Sequence, residues 1–154
     1  MYAYAQEITP SIEYSVPINQ EAKADDSHKG NIEDTYRLNW LNSVFEDITS
    51  GELKVFNSTE TDKYSLLNKD QISEILHSID TVHTINPNTN EPDIIVNENK
   101  VSPEDISELK FREKWSWNKE DGSLIKEIEA IGFMVKYYVD DNYLGDLTLF
   151  WIKP

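Results

Sequence analysis

The chain holds few side chains at spacings that do chemistry, and each set has a simpler alternative. Its three histidines, His28, His77 and His83, are not close-spaced in the way a metal site requires. His28 falls in a polar stretch near Asp25 and Asp26, His77 beside the apolar face of a helical segment, and His83 in a strand-like one. Asn86, Asn88 and Asn90 have the spacing of the first ligands of a calcium loop. Glu91 stands where that loop needs glycine, and Asn97 where it needs the bidentate glutamate. Asp140, Asp141 and Asp146 form an acidic turn that could hold a cation, or simply be solvated. Glu113 with Glu127 or Glu129 has the composition of a glycosidase pair. Lys114 and Lys126 beside them make cross-strand ion pairs on a solvated face the expected arrangement. No nucleophile elbow, phosphate loop or dinucleotide fingerprint is present, and five glycines leave little backbone to cradle phosphate. The reading is therefore of a non-enzyme without a cofactor. Trp115, Trp117 and Trp151 raise one further chemistry, an aromatic platform for sugars, against the alternative that they fill a core.

Composition narrows the partners. Among 154 residues, 29 Asp and Glu face 14 Lys and Arg, a net charge of −15. Such a surface repels phosphate backbones and anionic membranes, which excludes generic nucleic-acid binding and a polybasic membrane patch. With no cysteine there is no disulfide framework, thiolate metal site or cysteine nucleophile, though this does not fix the compartment. No stretch approaches the ~20 apolar residues of a membrane span. Ala3-Tyr4-Ala5 before Gln6 has the small-x-small pattern of a signal-peptidase site, without the charged and apolar regions that precede one. The expectation is an exported protein; the other reading is chance occurrence of a short pattern.

The elements that would position these residues follow from periodicity. Residues 1–33 read as a signal remnant and an extended or flexible arm. In it Ile8, Ile12, Tyr14, Val16 and Ile18 alternate, so it could dock as an edge strand on its own domain or on a partner. Residues 34–154 read as the folded domain. A helix over Asp34–Ser50 places Leu38, Leu41, Val44, Phe45 and Ile48 at helical spacing and stops at Gly51. Two β-prone segments follow, Leu53–Phe56 and Tyr64–Leu67. A second helix is capped by Asn68 with Gln71, its apolar face Ile72, Ile75, Leu76 and Ile79. Short strands are expected at Thr81–Ile85 and Asp93–Val96 around a turn, and a short helix at Ser102–Asp105 carrying Ile106 and Leu109. From Phe111 onward the chain alternates in long strands, broken by an Asp121-Gly122 turn and a turn at 140–145. Nine of the 17 aromatics lie there. The fold class is α+β: a single domain with two amphipathic helices and a C-terminal antiparallel β-meander. Seven basic and eighteen acidic residues precede position 103; seven and eleven follow. The meander is thus the less charged part, and the side where a partner is expected to dock.

A specific function comes from ordered motifs. Phe111-Arg112-Glu113-Lys114-Trp115-Ser116-Trp117-Asn118-Lys119-Glu120 resembles the Glu-x-Trp-x-x-Asp-Lys stretch of the GldN/PorN family. Ile128-Glu129-Ala130-Ile131-Gly132-Phe133 resembles its Arg-Ile-x-Gly-Ile strand, and Leu149-Phe150-Trp151-Ile152 its Leu-Phe-Trp-Ile motif. Ser50-Gly51-Glu52-Leu53-Lys54-Val55-Phe56 is similar to a helix ending in Gly-x-Leu-x-Val-Tyr. The likeness covers about Asp34 to Ile152. Asn118 stands for the usual Asp, and Met134-Val135 for Ala-Pro. The chain stops at Pro154 where GldN continues, so it resembles a short or divergent member. The resemblance implies a periplasmic, non-enzymatic component of type IX secretion and gliding. It implies assembly with an outer-membrane lipoprotein (GldK/PorK) into a ring, and contact with the periplasmic part of the inner-membrane protein GldM/PorM. Trp115, Trp117 and Trp151 are the nominated partner-binding residues. The alternative from another class is an envelope carbohydrate-binding module or small glycan-acting protein, which a single exposed row of those three tryptophans would favour.

Overall fold

The computed structural model describes residues 5–18, 32–59, 63–139 and 141–154. Ala3, Tyr4, the acidic run 21–26, His28 and Asp140 lie outside the described residues. The elements run β1 (Ala5–Pro17), α1 (Asp34–Ser50), β2 (Phe56–Asn57), α2 (Lys69–Leu76), β3 (His77–Ile85), β4 (Pro92–Lys100), β5 (Ile106–Asn118), β6 (Ser123–Val139) and β7 (Asn142–Ile152). Five strands make one antiparallel sheet in the order β1-β5-β6-β7-β2, while β3 and β4 pair with each other in a sheet of two. Two helices with mostly antiparallel strands is the α+β class expected from the sequence.

The sheet is held by rows of directly opposed residues. Leu109 faces Phe133, and Phe133 faces Phe150. Onto this row α1 lays Leu41, Val44, Phe45 and Ile48, all buried. The Phe133 and Phe150 rings stack at 5.3 Å, and Phe45 meets Phe150 edge-on at 6.2 Å. Arg37 is buried in the same helix. Its guanidinium donates to the Ile106 carbonyl at 3.4 Å and to Asp34 at 3.3 Å. Between β5 and β6 the Asp121-Gly122 turn takes the expected positive φ, with Gly122 at 69°.

The N-terminal arm docks on its own chain: β1 pairs antiparallel with β5 from Ala5–Asn118 to Pro17–Glu108. Boundaries differ from the sequence reading in several places. The β-prone segments Leu53–Phe56 and Tyr64–Leu67 give only the two-residue β2 and a single bridge between Phe56 and Leu66, and β7 begins at Asn142, inside the expected 140–145 turn. Helix α2 ends at Leu76, because His77 turns extended (φ −152°) and begins pairing with Lys100, which moves Ile79 into β3. Strands β3 and β4 accordingly extend to nine residues each. At Ser102 only a 3₁₀ turn over Pro103–Asp105 forms, and Ile106 and Leu109 belong to β5, whose ladder with β6 outcompetes further helix.

Candidate functional site

Two surfaces stand out, one on each sheet. The first is the face of the large sheet away from α1. One row across it reads Ser15, Lys110, Gly132, Trp151 and Phe56, residues paired in register from β1 to β2. Trp151 is 1% exposed because it lies flat over Gly132. A Cβ at position 132 would stand 3.2 Å from the indole and 2.9 Å from Thr148 Cγ2. Tyr64, at φ 70°, closes over the indole edge-on at 5.5 Å, and the Lys63 ammonium sits 5.5 Å from its centroid. Arg112 donates to the Tyr64 hydroxyl at 3.1 Å, and Lys153 lies 4.6 Å over Phe56. Glu13 gathers the cations: Lys63 and Lys110 each reach it at 3.3 Å and Arg112 at 3.6 Å. Partial burial pushes the Glu13 carboxyl up, and the bonds from Lys63 and Lys110 outweigh it, holding it below its ordinary value. Arg112 also bonds Glu129 at 3.3 Å. Cations and aromatics here largely satisfy one another, and the surface they form is a closed lid on Trp151.

The nominated tryptophans do not form one row. Alternation along β5 puts Trp115 and Trp117 on the face opposite Lys110, and so opposite Trp151. Trp115 is half-buried, with Lys126 4.4 Å over its ring, whereas Trp117 is 41% exposed beside the 119–122 turn. The three-tryptophan sugar platform is therefore absent, while Trp115 and Trp117 share one face. Glu113 also differs from expectation. It is 4% exposed rather than solvated, and accepts from the Tyr14 hydroxyl at 2.8 Å and from Trp115 Nε1 at 2.7 Å. Burial and that bond raise the Tyr14 pKa. Glu113 faces Ile128, so Glu127 and Glu129 do not converge with it. Tyr14 is 99 residues away in sequence, which hid its partnership with Glu113.

The second surface is the β3–β4 hairpin. It continues from the end of α2 at its base, where Val101 N–H donates to the Leu76 carbonyl at 2.8 Å, and within it His77 Nε2 of β3 lies 2.6 Å from Glu98 of β4. Among the described residues its strands pair only with each other above the base. Every residue of β4 is exposed, and so are seven of the nine in β3. Direct pairing sorts the side chains. One face carries Ile79, Thr81, His83, Ile85, Ile94 and Val96; the other carries Asp80, Val82, Thr84, Asp93, Ile95 and Asn97. An isolated two-stranded sheet is marginal in water, and needs a further strand or a packed layer to be stable. Beside the base opens a cleft of about 1190 Å³, lined among others by Arg37, Gln71, Asn99, Tyr137, Tyr138 and Leu147. Asp146 accepts from the Tyr143 hydroxyl at 2.8 Å. Among the described residues no three His, Asp or Glu side chains converge as a metal site would require, and no helix is long and apolar enough to cross a membrane.

Comparison with protein families matches residues 3–153 to the gliding motility associated protein GldN. The chain belongs to that family. The match begins at residue 3 and takes in β1 as well as the stretch from Asp34 that the motifs outline. No curated protein matches the chain. The GldN-like motifs map onto the scaffold: Ser50–Phe56 joins α1 to β2, Phe111–Glu120 is the distal part of β5 with its turn, Ile128–Phe133 the middle of β6, and Leu149–Ile152 the end of β7. Phe133, Phe150, Trp151 and Gly132 within them are packed core. These motifs thus fall on the packed large sheet, and the hairpin lies between them within the matched span.

Proposed function

We propose that this GldN-family chain is a non-enzymatic assembly subunit of the type IX secretion and gliding machinery. It works in the periplasm between an outer-membrane lipoprotein of the GldK/PorK kind and the periplasmic part of a GldM/PorM-like inner-membrane protein. Family membership supplies the link to gliding motility. The observation that carries the assembly role is the β3–β4 hairpin, which holds six aliphatic side chains 47–62% exposed, four of them on one face, on a sheet over which no described element packs. Contiguous apolar surface of this kind marks contact with another macromolecule. Trp117, with half-buried Trp115 beside it, offers a second contact on the large sheet, as exposed aromatics at a polar rim do in protein interfaces. Trp151 acts through packing. The Ala3-Tyr4-Ala5/Gln6 pattern supports export.

The test is genetic and biochemical. Deleting the gene should abolish type IX export and gliding, the wild-type gene should restore both, and the tagged protein should recover the lipoprotein. Normal secretion and gliding in the deletion strain would overturn the reading.

A further inference from the structure

We infer that the β3–β4 hairpin docks on the same hairpin of a second copy of this chain, apolar face to apolar face, about a two-fold axis. The inference rests on reading the hairpin as an assembly element and names what covers it. On the apolar face Ile79, Ile85, Ile94 and Val96 are 61%, 62%, 58% and 60% exposed. These residues form a strip from near the base to the tip, with Thr81 and His83 between them. The strip holds one carboxylate, Glu98, at its base, and His77 engages it at 2.6 Å.

Charge decides the occupant. At −15 overall, two copies repel wherever their carboxylates meet. The hairpin's other face sets Asp80 and Asp93 around Val82 and Ile95, so a copy approaching there would bring acid against acid. A basic partner would be drawn to those carboxylates and would gain nothing from the aliphatic strip. The strip is the part of the hairpin on which two acidic chains can approach without like charges in contact. It is also self-complementary, as a two-fold contact requires. An axis passing between the Thr81–Val96 pair and the His83–Ile94 pair sets Ile79 of one copy against Ile85 of the other, with Val96 and Ile94 at the centre. The resulting two-layer sandwich, sheets ~10 Å apart, supplies the packed layer that each hairpin lacks. Its area is near the lower limit for a specific contact, about 1,000 Å² in total, so association should be concentration-dependent.

The chain has no cysteine, which gives a clean test with the full-length protein. Sedimentation velocity over a concentration series should show a monomer–dimer equilibrium. Ile94→Asp should weaken it by more than about tenfold, a loss of at least 1.4 kcal/mol, and Ile95→Asp, on the other face, should weaken it far less. A short bis-maleimide cross-linker should join two copies of Ile94→Cys and leave Ile95→Cys as monomer; this pair keeps the test sharp if an aspartate variant misfolds. A wild type that is monomeric throughout, or equal behaviour of the two positions, would overturn the inference. Purified monomer together with lost secretion in an Ile94→Asp strain rejects self-pairing and leaves the assembly reading intact. Purified dimer together with normal secretion in the deletion strain does the reverse.

Discussion

The large sheet and the hairpin are built from the same kinds of strand, and their apolar side chains end in opposite environments. Phe133, Phe150 and Trp151 are no more than 1% exposed, while Ile79, Ile85, Ile94 and Val96 are each more than half exposed. The difference is the number of layers. In the large sheet, α1 covers one face, and Tyr64 with Lys63, Arg112 and Lys153 covers Trp151 on the other. The hairpin has backbone pairing and, among the described residues, no second layer. Hydrogen-bonded strands alone do not bury a side chain; a facing element does.

The strongest test of this contrast is a truncation in each region. Phe150→Ala removes a ring packed between Phe45 and Phe133 and should cost about 3–5 kcal/mol in urea unfolding. Ile85→Ser in the dilute, monomeric protein should leave the same transition within about 0.5 kcal/mol. A comparable loss for both would erase the distinction between the regions. Next in size is Gly132→Ala, whose Cβ must displace Thr148 or the Trp151 ring. A cost of about 1–3 kcal/mol is expected, with a change in tryptophan fluorescence as the indole moves. Smaller again is Asn68→Ala. The Asn68 side chain accepts from the Gln71 amide at 2.9 Å, and its loss should cost about 1 kcal/mol, read as lower helicity or earlier melting of the segment that carries the hairpin.

The smallest effect concerns pH. The Glu13 carboxyl titrates below its ordinary value in the fold, so the stability it contributes is present above the unfolded pKa and is lost as pH falls through the lowered one. Glu13→Gln should therefore flatten the acid side of the stability profile and leave the neutral side without that contribution. An unchanged acid limb in equilibrium unfolding would show that the cation cluster over Trp151 holds without its carboxylate.

Much of the scaffold was legible locally. The apolar spacing of Leu41, Val44, Phe45 and Ile48 marks α1, the Asn68–Gln71 box starts α2, and Asp121-Gly122 marks the β5–β6 turn. What escaped were partners distant in sequence. Glu113 looks like a solvated strand carboxylate until β1 brings Tyr14 onto it. Trp151 looks like a member of a row with Trp115 and Trp117 until register turns it to the other face. Ile79 continues a helical stripe by spacing, yet its strand partner Glu98 lies nineteen residues on and pulls it out of the helix. Spacing alone also stops the hairpin short at its base, because pairs that extend it there, His77–Lys100, Ser78–Asn99 and Asp80–Asn97, are polar.

By itself the sequence determined the α+β class, the helix starts and turns, the net acidity, and the ordered motifs of the GldN family, because each depends on residues near one another in the chain or on their sum. Only the tertiary structure decided which strand faces are covered. Register assigns every second side chain to one face, and a covering layer comes from elements far away in sequence, so burial of Trp151 and exposure of the hairpin isoleucines could be settled only where those elements meet, or fail to.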